Sequence, residues 1–314
     1  MRPRSDNADH APLAGLIRQA GTIILGKDRQ IRLALACLLA KGHLLIEDLP
    51  GVGKTTLAHL FARLLGLQFQ RIQFTSDMLP ADIIGVSVFD RGSGGFVFHP
   101  GPIFAQLVLA DEVNRATPKT QSALLEAMEE RQVTTEGATR ALPASFFVIA
   151  TQNPSHQIGT FPLPESQLDR FLMRIRLGYP DRDAERELLR GADRRKLIEA
   201  LSPCLAPEEL SALQVAAGRV HVADALIDYV QALVAHTRQS PDYQYGLSPR
   251  AALALLAAAR AWALLEGRGH ALPEDIQAVL PSVTVHRLQP AGEAAGGRST
   301  EQTAAALIEA VPLP

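Results

Sequence analysis

The chain has 314 residues, 47% of them apolar and 20% charged, with a formal charge of −2. That length suits one large or two ordinary domains with a real core, and the composition excludes a fibre or a disordered chain. Near-neutral charge gives no broad attraction to nucleic acid or anionic membrane, and Cys37 and Cys204, far apart and without CxxC spacing, point to reduced core residues rather than a disulfide scaffold or metal site.

In chain order, the first ten residues are polar and mixed in charge, lacking the apolar stretch of a signal peptide. The longest apolar run, 31–40, contains Arg32 and is too short to span a bilayer. A cytoplasmic protein without membrane insertion is expected. Helical spacing at 13–21 and 29–40 precedes a strand-like run at 43–47, which ends in Asp48-Leu-Pro-Gly-Val-Gly-Lys-Thr-Thr56 and leads into a helix over 57–65. Strand, glycine-bearing turn and helix is the context a phosphate loop requires.

The segment 77–102 breaks the strand–helix rhythm and reads as a hairpin, with strands at 85–90 and 96–98 around a glycine-rich turn. Further strands at 69–74, 107–111, 145–151 and 173–177 alternate with helices, as in a parallel sheet. The last alternates apolar and basic residues and is placed near a sheet edge. Thr117-Pro118 opens a helix whose Leu124, Leu125 and Met128 are core, and 132–142 reads as a second hairpin turning at Glu136-Gly137. After 180 the strand signals stop, and helices follow at 183–190, 207–219, 223–239, 249–266 and 273–280. The expected architecture is α/β: an αβα parallel-sheet core over 1–180 with the hairpin insertion at about 77–102, an all-α region over 181–290, and a loose tail over 291–314 that holds at most a short helix near 303–310.

Gly51 and Gly53 let the loop curl so that successive N–H groups face phosphate oxygens; Lys54 supplies a cation for the β and γ phosphates, and the Thr55 hydroxyl suits Mg²⁺. Pro50, Gly51, Val52, Gly53, Lys54, Thr55 and Thr56 are therefore the predicted ATP-binding residues. Asp48 stands where the usual pattern begins with glycine. The buried-looking strand 107–111 delivers Asp111 and Glu112 at its C-terminal end, where ligands bind in open α/β sheets. Asp111 is the predicted second Mg²⁺ ligand and Glu112 the group that polarises the attacking water; without the upstream loop they would read as an acidic pair capping the next turn. Asn153 emerges at the end of the following strand beside that pair, placed to contact the γ-phosphate or the water, with a turn-forming Asn before Pro as the alternative.

Several separate runs, in order, resemble the MoxR family of AAA+ ATPases: the phosphate loop from Glu47 to Thr55, Gly101-Pro-Ile-Phe104, Ala110-Asp-Glu-Val-Asn-Arg-Ala116, Gln121-Ser-Ala-Leu-Leu-Glu-Ala-Met-Glu-Glu-Arg-Gln-Val133, Ala150-Thr-Gln-Asn-Pro154, Phe161-Pro-Leu-Pro-Glu165, Gln167-Leu-Asp-Arg-Phe171 and Leu247-Ser-Pro-Arg-Ala251. The resemblance covers roughly residues 10 to 285. It implies an AAA+ P-loop core with a helical lid, ATP and Mg²⁺ as cofactors, and a homo-oligomeric ring, usually a hexamer. Lys54 and Thr55 fall in Walker A, Asp111 and Glu112 in Walker B, and Asn153 at sensor 1. Arg170 matches an arginine finger that reaches a neighbour's nucleotide, and Arg250 matches sensor 2. Asp48 is what such sequences often carry at that place.

The residues alone leave alternatives for the two arginines. Arg170 could be ion-paired, with Asp169 as the nearest acid. Arg250, in the first turn behind the Ser248-Pro249 cap, opposes the helix macrodipole and calls for an anionic partner, which a surface position could also provide. Arg115 and Lys119 face either a neighbouring subunit or solvent. For 77–102 the resemblance implies contact with substrate or partner near the ring pore, against a stabilising flap without a partner. The favoured activity is ATP hydrolysis driving remodelling or maturation of a protein client, with a von Willebrand factor A domain protein as the implied partner. The other readings are a regulatory ring in which ATP binding is the signal, and a nucleic-acid motor, disfavoured by charge and the lack of a recognisable DNA-binding module.

Overall fold

The computed structural model describes residues 7–92, 94–153, 159–191, 193–289, 291 and 299–313. Pro154, the last residue of the 150–154 run, and most of the Ala/Gly-rich stretch after 290 lie outside the described residues. Two amphipathic helices come first. α1 (Asn7–Ile23) buries Leu13, Leu16, Ile17 and Ala20, and α2 (Asp28–Leu39) buries Ile31, Leu35 and Leu38, both at helical spacing. β1 (Leu44–Glu47), α3 (Lys54–Leu64) and β2 (Phe69–Gln73) follow, then a short α4 (Pro80–Ile84) and the hairpin β3 (Gly85–Asp90) and β4 (Gly95–Pro100). β5 (Leu107–Asp111) is wholly buried; α5 (Pro118–Glu130) starts on the Thr117 cap, whose hydroxyl accepts from the Thr120 N–H. A second hairpin, β6 (Gln132–Thr135) and β7 (Ala138–Ala141), turns through Glu136 and Gly137, both at positive φ, before β8 (Phe147–Gln152), α6 (Glu165–Leu168) and β9 (Met173–Ile175).

The five-stranded sheet has the order β2-β5-β8-β1-β9, and all its pairings are parallel. Strand periodicity divides the core in two. Leu44, Ile46, Leu107, Leu109, Phe147 and Ile149 face α1, α2 and α3, whereas Leu45, Val108, Ala110, Val148 and Ala150 face Leu124, Leu125 and Met128 of α5. β9 lies at the edge, as its alternating basic residues require. Because the chain leaves β1 for β2 across β8 and β5, the C-terminal ends of β1, β5 and β8 open side by side into one crevice.

From Arg182 onward the described chain is helical: α7 (Arg182–Arg190), α8 (Arg194–Ala200), α9 (Pro207–Arg219), α10 (Asp224–Gln239), α11 (Pro249–Leu265), α12 (Pro273–Thr284) and α13 (Thr300–Ala310). The Ala/Leu-rich α11 packs on α2, α9 and α12, so these helices share the apolar core on one face of the sheet. Three points correct the sequence reading. α8 is a short helix that no periodicity announced. α12 runs through Pro281 to Thr284, because Val279, Leu280 and Val283 are fully buried and the Thr284 hydroxyl donates to the Leu280 carbonyl. The tail is not loose in its last part: α13 extends over eleven residues and buries Ala304 and Leu307, with Val311 beyond it, against α10 and α12.

Candidate active site

The phosphate loop takes its shape from two glycines at φ 83° and 98°, Gly51 and Gly53, which a side chain would strain. The space where their Cβ atoms would stand is open. The left-handed Gly53 caps α3, so the free N–H groups of its first turn, which holds Lys54, Thr55 and Thr56, present a positive end to an anion. Lys54 is only 8% exposed. Its ammonium donates to the Asp48 carbonyl at 2.6 Å and to Asn153 Oδ1 at 3.0 Å. Burial draws its pKa below the ordinary lysine value, and the charges of Asp48, Asp111 and Glu112 work against that. Asp48 explains its own departure from glycine: Oδ1 accepts the Leu49 N–H and Oδ2 accepts the Gly178 N–H at 2.6 Å, tying the loop to the exit of β9.

β5 carries Asp111 and Glu112 to the same crevice. Asp111 Oδ1 accepts from the Thr151 hydroxyl at 2.6 Å, and Oδ2 accepts from Arg71 Nη2 at 2.7 Å and Nε at 3.1 Å. Glu112 stands at φ 57°, ψ 48°, a left-handed conformation costly for a non-glycine residue. Thr151 holds it there by accepting the Glu112 N–H at 2.9 Å. The Glu112 carboxylate receives Asn153 Nδ2 at 2.9 Å on Oε1, and Gln73 Nε2 and Arg115 Nη1, each at 3.0 Å, on Oε2. Asn153 therefore bridges Lys54 and Glu112 with its two amide ends, and Asn114 Nδ2 fixes its backbone carbonyl at 3.2 Å.

The structure thus brings Lys54, Asp111, Glu112 and Asn153 together, as the sequence predicts, with Thr55 in the turn that begins at Lys54. Sequence reasoning missed Thr151, Gln73 and Arg71. Thr151 was findable, since aligning β5 with β8 at Ala110 and Ala150 puts it beside Asp111. Arg115, which the sequence places between a neighbouring subunit and solvent, engages Glu112 of its own chain.

Arg170 and Arg250 lie elsewhere. β9 pairs with the start of β1 at Met173 and Leu44, so Arg170 sits at the entry end of the sheet, opposite the phosphate loop at the exit of β1. Both arginines grip Glu129 of α5, Arg170 Nε at 3.1 Å and Arg250 Nη2 at 2.6 Å. Asp169 is not the partner of Arg170; it binds Arg287 Nε at 2.6 Å and lies 3.8 Å from Arg250 Nη1. The anion that Arg250 calls for is thus supplied by the chain's own Glu129. Neither arginine shares a hydrogen bond or ion pair with the Lys54 cluster among the described residues. Of the cysteines, Cys37 is buried with its thiol pKa pushed up by burial, and Cys204 is half-buried, donating to Gln19 Oε1; both are free.

The donor set fits Mg²⁺. Asp111 and the Thr55 hydroxyl offer hard oxygens, and among the described residues no group of three His, Cys, Asp or Glu forms a dedicated metal cage. A nucleotide-bound Mg²⁺ is held by one or two protein oxygens and completed by phosphate and water.

Crevice, phosphate loop, carboxylate pair and helical region define a P-loop ATPase of the AAA+ kind. The model of the ATPase family associated with various cellular activities (AAA) matches residues 43–173, and that of the AAA lid domain matches 235–309. The chain is 45% identical over 306 residues to the uncharacterized protein YeaC of Bacillus subtilis, covering 97% of this chain and 96% of that one. It is 44% identical to Chaperone MoxR1 of Mycobacterium tuberculosis, over 85% of this chain and 72% of the other, and 34% identical to Protein MoxR of Methylorubrum extorquens, over 95% and 94%. A solved structure of a candidate ATPase from Cytophaga hutchinsonii superposes with a TM-score of 0.89 at 35% identity, covering 98% of this chain and 97% of that one. The chain belongs to the MoxR family of AAA+ ATPases. Among the described residues no helix is long and apolar enough to cross a membrane.

Proposed function

We propose that the protein hydrolyses ATP with Mg²⁺ as a homo-oligomeric ring, and that the cycle remodels or matures a protein client together with a von Willebrand factor A domain partner. The observation that carries the catalytic reading is the bridge from Lys54 through Asn153 to Glu112. The loop N–H groups and Lys54 bind and orient the phosphates. Glu112 accepts hydrogen bonds from Asn153, Gln73 and Arg115, which fix the carboxylate that would polarise the attacking water. Asp111 and Thr55 would hold Mg²⁺, which when bound neutralises charge on the β and γ phosphates. Arg170 and Arg250, outside their own chain's crevice, would serve the nucleotide of a neighbouring subunit. That assignment supports a ring, and the family implies a hexamer.

Two observations support a protein client. One relative is called a chaperone. The β3–β4 hairpin exposes Val86, Val88 and Val97 on one face and Phe89 and Phe96 on the other, with Phe96 at 75%, apolar surface that suits protein contact better than nucleic acid. The experiment is equilibrium binding of a fluorescent ATP analogue beside steady-state hydrolysis for wild type and Glu112→Gln. Retained binding with hydrolysis lowered by about 10²-fold or more is expected; unchanged hydrolysis would remove Glu112 from the chemistry. Turnover in wild type that a nucleic acid stimulates would favour the motor reading instead.

A further inference from the structure

Asp111 has a resident cation. Its Oδ2 accepts two N–H groups from one guanidinium, Nε at 3.1 Å and Nη2 at 2.7 Å, and Nη2 also reaches Gln73 Oε1 at 2.6 Å. Gln73 in turn donates to Glu112. The Asp111 side chain is only 9% exposed, so its charge needs compensation. Arg71 provides it from the sheet-edge strand β2 with a side chain that is 47% exposed, and among the described residues its one ion pair is with Asp111. A guanidinium and a hydrated divalent cation cannot both hold one carboxylate oxygen at short range without like-charge repulsion. The exposed side of Arg71 gives it room to swing into solvent.

We propose that Arg71 competes with Mg²⁺ for Asp111 and so sets the metal concentration at which nucleotide binds tightly. This rests on Asp111 being the metal ligand. Loading the metal would require Arg71 to release Oδ2, and the same step would free the Gln73 amide that engages Glu112. Arg71 is then a positioning residue that couples the metal site to the water-activating carboxylate.

The test is equilibrium binding of a fluorescent ADP analogue to the full chain, which involves no turnover, titrated with MgCl₂ for wild type, Arg71→Ala, Arg71→Lys and Asp111→Asn. Arg71→Ala should lower the half-maximal Mg²⁺ concentration by about threefold to tenfold, the range a half-exposed ion pair supports, while affinity in EDTA changes by less than about twofold. Arg71→Lys, which keeps the charge but not the fork, should fall between. A half-maximal Mg²⁺ unchanged or raised in both Arg71 variants would overturn the competition. If Asp111→Asn leaves the wild-type Mg²⁺ dependence intact, the metal-ligand reading fails, and the inference with it.

Discussion

Asn153 is the residue on which the site's geometry turns, since among the described residues it alone bonds both the Lys54 ammonium and the Glu112 carboxylate. Asn153→Ala leaves Glu112 to Gln73 and Arg115 and should lower kcat by about 10²-fold with nucleotide affinity changed far less; steady-state kinetics beside equilibrium binding would check it. His43 makes a different prediction. Its Nδ1 accepts the Val148 N–H at 3.0 Å and its Nε2 lies 3.2 Å from the Met128 carbonyl, so the buried ring is held neutral, and burial lowers its pKa to about 3. The unfolded chain, titrating near the ordinary value of about 6.5, binds the proton that the folded chain refuses. Stability is therefore lost as pH falls from about 6.5 towards about 3, by about 2 kcal/mol at pH 5 from this group alone. Buried His286 acts in the same direction. Urea unfolding at pH 7 and pH 5 measures the difference, and equal stability at the two would contradict the neutral assignment. At this scale the phosphate loop was legible because Gly51, Gly53 and Lys54 stand between a strand and a helix, and only that loop turns the adjacent Asp111 and Glu112 from a turn-capping pair into candidate site residues. Arg71 and Gln73 were not, because polar side chains in a short run such as Phe69-Gln-Arg-Ile-Gln73 are what any half-exposed edge strand shows; only the pairing of β2 with β5 reveals their target.

At the scale of elements, the central sheet strands follow from short apolar runs and both hairpins from their turn chemistry, and β9 lies at the edge for the reason its arginines suggest. The base of the β3–β4 hairpin depends on a close backbone approach: a Cβ on Gly101 would stand 2.2 Å from the Ile83 carbonyl oxygen and 2.6 Å from the Gly85 nitrogen. Gly101→Ala should cost about 1–3 kcal/mol through the backbone shift it forces, read as a lower denaturation midpoint. The end of the chain was less legible. Ala and Gly around 291–298 read as loose tail, and one apolar stripe in α13 has no visible partner until α10 and α12 are placed beside it. Leu307, 1% exposed, sits at that contact. Leu307→Ala should destabilise the fold by about 2–5 kcal/mol; no change in the unfolding transition would restore the loose-tail reading. Likewise Pro281 reads as a helix stop, and burial of the residues around it overrides that local signal.

At the scale of the molecule, one chain carries two separated groups of the residues that the proposed function uses. The exits of β1, β5 and β8 hold the phosphate loop, carboxylate pair and Asn153, whereas Arg170 and Arg250 share Glu129 at the entry end of the sheet. An arginine finger is worth roughly 10³ to 10⁵ in rate when it meets a transferring phosphoryl group, and these two cannot deliver that to their own crevice while held on Glu129. If Arg170 acts as a finger on a nucleotide, that nucleotide belongs to a neighbouring subunit, and the active sites are shared. The most direct test of that sharing is ATP hydrolysis by Glu112→Gln and Arg170→Ala, each alone and mixed in equal amounts. Each alone should lose hydrolysis, and the mixture should recover it at about one interface in four, where the first variant contributes Arg170 and the second Glu112. A mixture no more active than the sum of its parts, or an Arg170→Ala variant with full turnover independent of protein concentration, would contradict the shared site.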